Sequence, residues 1–168
     1  AADGVARAAF NMGATGGATG VGTAAGAQNT FDVTGHNAAL LLGAVAIGTQ
    51  ATRGDTLTNV FSFDTGTLDL TSLTMSVKMG TGLTGSKTVN STVNLGGGTV
   101  LIGTIAQMGQ TSTAGNIANA TLNVTGGIVT IGTGSGTAIT MASANTGTTA
   151  NGAINLTGGA RTVTGSIV

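Results

Sequence analysis

The stretch ATLNVTGGIVTIGT, residues 120–133, decides how the rest of the chain is read. Side chains of an extended segment alternate between two faces. Leu122, Val124, Val129 and Ile131 therefore share one face, and Asn123 and Thr130 take the other. The pair Gly126-Gly127 splits the pattern, which predicts two short half-buried strands meeting at a glycine corner. Such a corner belongs either to a hairpin of an ordinary domain or to one turn of a repeat, and self-similarity along the chain chooses between them.

LNVTGG at 122–127 recurs as FDVTGH at 31–36, FSFDTG at 61–66, VNLGGG at 93–98 and INLTGG at 154–159. Successive starts lie 30, 32, 29 and 32 residues apart. The match extends beyond the motif. Nine residues after each start stand Leu40, Leu70, Ile102, Ile131 and Val163, all apolar, and two residues before them Ala38, Leu68, Val100, Val129 and Arg161. A third segment follows: FNMG at 10–13, VAIG at 45–48, VKMG at 77–80, AQMG at 106–109 and ITMA at 139–142. Ala27, Leu57, Val89, Ala118 and Ala150 precede the starts as a fourth, shallower contact.

One such unit cannot bury its apolar face alone, whereas stacked units can. The sequence therefore predicts an all-β fold, a parallel β-solenoid of about five coils of 29–32 residues with three short strands each. Its core columns are expected to be Phe31–Phe61–Val93–Leu122–Ile154, Leu40–Leu70–Ile102–Ile131–Val163 and Met12–Ile47–Met79–Met108–Met141. Asp32, Ser62, Asn94, Asn123 and Asn155 share one outward offset and are expected to form a polar ladder along the coil axis. The absence of proline suits continuous strand pairing. One domain is expected over 1–168: an irregular first coil at 1–30, repeat coils at 31–60, 61–92, 93–121 and 122–153, and a partial last coil at 154–168.

Composition narrows the functions. Only 6% of residues are charged, five basic against five acidic, so there is no basic field to hold phosphates and nucleic acid is not an expected partner. Mean hydropathy is +0.39 with regular alternation, which separates the chain from a disordered Gly/Thr linker. The longest apolar run, Ala38–Leu42, is too short for a membrane helix. The opening AADG reads as a mature end left by cleavage at a small-residue site, so export is expected.

TLNVTGGIVTIGT at 121–133 resembles the glycine-rich β-strand repeats of bacterial autotransporter passengers and related exported surface proteins. The resemblance spans 31–165 loosely. It implies a right-handed parallel β-helix at the cell surface or outside the cell.

Chemistry is sparse. His36 is the only histidine and cysteine is absent, which leaves no zinc constellation and no nucleophile–base pair. Asp32, Asp64 and Asp69 are candidates for paired carboxylates, but no basic residue shares their offsets. Glycines 96–98 and Gly126-Gly127 lack the following helix that a phosphate cradle needs. The aligned threonines Thr130 and Thr162 sit in a column interrupted by Ala39, Asp69 and Leu101, which leaves an ice-binding array only a minor alternative. The expectation is therefore a structural protein without catalytic, metal or cofactor residues: a surface scaffold or a head-to-tail filament subunit, with Asp3, Arg7 and Arg161 at the subunit junction. The alternative is an adhesin or autotransporter-passenger-like fragment that binds a glycan or host surface through its loops; an ice-binding or polysaccharide-active β-helix is the remote alternative.

Overall fold

The computed structural model describes residues 6–13, 27–50, 56–78 and 87–168; every regular element among them is a strand. In chain order these are β1 (Ala8–Met12), β2 (Ala27–Asp32), β3 (Ala38–Gln50), β4 (Leu57–Phe63) and β5 (Gly66–Lys78). β6 (Thr88–Leu95), β7 (Thr99–Ile102), β8 (Ile105–Thr111), β9 (Ile117–Val124) and β10 (Ile128–Ile131) follow. β11 (Thr137–Ile139), β12 (Ser143–Ala144), β13 (Thr149–Leu156), β14 (Ala160–Val163) and β15 (Ser166–Ile167) complete the set.

The chain is a parallel β-solenoid. One face is a five-stranded sheet in the order β13-β9-β6-β4-β2. The other two faces belong to a ten-stranded sheet bent along its length. One half stacks β14, β10, β7 and the first parts of β5 and β3; the other stacks β15, β11, β12, β8, the later parts of β5 and β3, and β1. Five rungs on one face are joined by four passages of the chain, so the stack makes about four turns rather than the five expected from counting motifs.

The core fills the space between the sheets, and its columns follow the strand register. Phe31, Phe61, Val93, Leu122 and Ile154 are successive partners on the five-stranded sheet. Phe10, Phe31 and Phe61 close the early end of the core: the rings of Phe31 and Phe61 stack at 5.0 Å and Phe10 meets Phe31 edge-on at 5.1 Å. Leu57, Val89 and Ala118 are buried at the edge of the same sheet.

Two columns of the ten-stranded sheet differ from the sequence expectation. Leu70, Ile102, Ile131 and Val163 are successive partners, but the residue opposite Leu70 is Leu42; Leu40 lies opposite Leu68. The reason is corner length. Five residues, 33–37, separate Asp32 from Ala38, whereas three, 63–65, separate their partners Ser62 and Gly66. For the same reason Leu41, not Ala39, stands opposite Asp69.

The second difference concerns Met79, which lies outside the described residues. The place between Ile47 and Met108 is held by Met75. Ser76 then falls where Gly48 and Gly109 stand, and with φ 51° it takes their left-handed backbone. A serine in a glycine position hid the motif, and MG at 79–80 imitated it four residues later. Met12 is buried opposite Ile47, and Met141 packs against the core from a partly buried position.

Candidate functional site

Three polar arrangements stand out on this scaffold. The first is the outer surface of the five-stranded sheet. Asp32, Ser62, Asn94, Asn123 and Asn155 are partners in successive strands. Asn155 Nδ2 donates to Asn123 Oδ1, Asn123 Nδ2 to Asn94 Oδ1 (both 2.8 Å), and Asn94 Nδ2 to Ser62 Oγ (3.3 Å). A second ladder, unmarked in the sequence reading, runs beside it: Asn151 Nδ2 donates to Asn119 Oδ1 and Asn119 Nδ2 to Asn90 Oδ1, both at 2.8 Å. In both ladders the later coil donates to the earlier, so the amide dipoles add along the axis. Their positive ends point toward the coil that carries Asp32.

Asp32 is itself fixed locally. Its Oδ1 accepts from the Thr34 backbone N–H (2.9 Å) and hydroxyl (2.7 Å), and these two bonds hold its carboxyl below the ordinary value. Asp64 accepts from the Gly35 N–H at 2.9 Å, which ties the long first corner to the next coil. His36 is exposed in that corner. The two aspartates thus brace turns, each with its own partner.

The second arrangement is buried. Gln50, Lys78 and Thr111 are successive partners, all at most 1% exposed, and Lys78 Nζ donates to Gln50 Oε1 at 2.6 Å. Gln50 Nε2 and Thr111 Oγ1 have no hydrogen-bond partner. Buried Asn59, which accepts from Asn29 Nδ2 at 2.9 Å, and buried Ser91, which donates to Ile47 O at 2.9 Å, add polar contacts inside the stack. None of these was singled out from sequence. Only their even offset from apolar neighbours marked Asn59 and Ser91 as inward.

The third is a cleft at the bend of the ten-stranded sheet. Arg7 Nη2 meets Asp69 Oδ2 at 2.8 Å, and Arg7 Nη1 donates to the carbonyl oxygens of Asp69 (3.3 Å) and Leu42 (3.4 Å). Arg7, expected at a subunit junction, is therefore engaged within its own chain, and it supplies the basic partner for Asp69 that offset matching missed. Asp3 lies outside the described residues. Arg161 is exposed opposite Val129, at the end of the inward column Leu40–Leu68–Val100–Val129. Among the described residues no three metal-ligating side chains cluster.

Comparison with family models, curated proteins and solved structures finds no match to this chain.

Proposed function

We propose that this chain is a structural module, an exported β-solenoid scaffold that lengthens by end-on stacking with a second copy. The observation that carries the reading is the unbroken register of side chains from coil to coil along the five-stranded sheet. Apolar columns inside and amide ladders outside repeat one cross-section instead of converging on a singular constellation. Export is supported by the resemblance of TLNVTGGIVTIGT to the repeats of surface-exposed passengers.

The same cross-section could be continued at the rung formed by β13, β14 and β15, by a further coil of the same protein or by a second copy. Leu156, Val163 and Ile167 are 49%, 41% and 57% exposed there, whereas Val124, Ile131 and Ile139 in the preceding coil are buried. Parallel strand edges template further strands. Another coil in register would cover these side chains and donate to Asn151 Oδ1 and Asn155 Oδ1, extending the amide ladders in their common direction. A contact of this head-to-tail kind does not close on itself and gives a filament.

Sedimentation and negative-stain microscopy across a concentration series test the proposal. Rods much longer than the ~20 Å of five strands spaced ~4.8 Å apart are expected, and Val163→Asp with Ile167→Asp should abolish them. Particles that stay one stack long at every concentration would refute end-on assembly.

A further inference from the structure

The cleft beside Arg7 and Asp69 is an open groove of about 500 Å³. That lies within the ~300–1,000 Å³ of small-molecule sites. Its rim is built by an enlarged corner. Two residues, 103–104, separate Ile102 from Ile105, while seven, 132–138, separate their partners Ile131 and Ile139. The excess forms a wall, anchored by Thr104 Oγ1, which bonds the carbonyl oxygens of Thr137 and Ala138 at 3.2 Å.

The lining has a consistent chemistry. Thr71, Thr133, Thr137 and Thr164 are exposed, and their hydroxyls make no hydrogen bond among the described residues. Each is both a donor and an acceptor. Leu101, 37% exposed, supplies an apolar surface on the same wall. Arg7 and Asp69 neutralise each other, and the guanidinium also donates to the Asp69 and Leu42 carbonyls, so the pair lines the cleft without net charge. Both are held in place, with side chains only 14% and 24% exposed.

We propose that this cleft binds a neutral saccharide chain. Sugar hydroxyls match the threonine hydroxyls, each a donor and an acceptor, the mutually compensated Arg7–Asp69 pair leaves no net charge to recruit an ion, and the C–H face of a ring packs on Leu101. A uronate would find Arg7 already compensated, and an apolar ligand would leave the hydroxyls unsatisfied. This site is separate from the stacking rung, so its test stands apart from that of assembly.

The experiment is an amide-resolved NMR titration of the whole chain with neutral tetrasaccharides of glucose, mannose and N-acetylglucosamine, and with a tetragalacturonate. At least one neutral probe should shift residues 103–104 and 132–137 at concentrations up to about 10 mM. The double variant Thr71→Val/Thr133→Val, with an unchanged spectrum elsewhere, should weaken that binding about tenfold. The conservative Thr71→Ser/Thr133→Ser should restore it. No shift with any neutral probe, binding of the uronate alone, or binding indifferent to the valine pair would each overturn the proposal.

Discussion

Asp32 is fully exposed, yet two bonds from Thr34 hold its carboxyl below the ordinary value of 3.8. The folded state therefore binds this proton less tightly than the unfolded chain. The associated stability is complete above the unfolded value and is lost as pH falls through the lower folded one. Melting temperatures from about pH 5 down to about pH 2 should fall less steeply for Asp32→Asn than for the native chain. Parallel curves would contradict the assignment. Ser76 offers a second residue-scale test. It bears left-handed strain and donates from Oγ to the Asn119 carbonyl at 2.6 Å with no exposure. Ser76→Ala keeps the strain and removes this bond, so denaturant unfolding should register a loss of about 1 kcal/mol.

Strands and corners explain which parts of the fold were legible. On the five-stranded sheet the LNVTGG-type motif begins inside each strand, ahead of any corner, so equal offsets from its start give true partners, and the columns of Phe31 and Asp32 could be read directly. The ten-stranded sheet is reached only after a corner, and corner lengths vary. Two extra residues at 33–37 displaced Leu40 from Leu70, and Ser76 disguised the segment that holds Met75. The Arg7–Asp69 pair spans 62 positions and crosses the sheet bend, so no local pattern announces it. The second ladder was present in the sequence as Asn90, Asn119 and Asn151 but lay before the motif used for alignment. Ladder position also sets energetic weight. Asn119 both donates and accepts, whereas Asn155 makes one ladder bond. Thermal unfolding should therefore show Asn119→Ala costing about twice as much as Asn155→Ala, roughly 2 against 1 kcal/mol. Equal costs would mean the ladders carry no stability.

At the scale of the whole molecule, stability rests on columns that every coil shares. Ile102 is 1% exposed between Leu70 and Ile131, while its strand position relative to Thr130 places the latter outside the core. Ile102→Asp should prevent folding or cost more than about 4 kcal/mol, and Thr130→Asp should cost less than about 1 kcal/mol. The central claim is the parallel, in-register stacking of coils, and a chain without cysteine allows it to be measured cleanly. Thr92 and Thr121 are outward partners on β6 and β9, whereas Thr92 and Asn123 are offset by two residues. A disulfide needs Cα atoms within about 4.4–6.8 Å. Under mild oxidation, Thr92→Cys/Thr121→Cys should crosslink to completion with native circular dichroism, and Thr92→Cys/Asn123→Cys should not. Preferential crosslinking of the offset pair, or of neither pair in the folded protein, would contradict the parallel, in-register stacking of the coils.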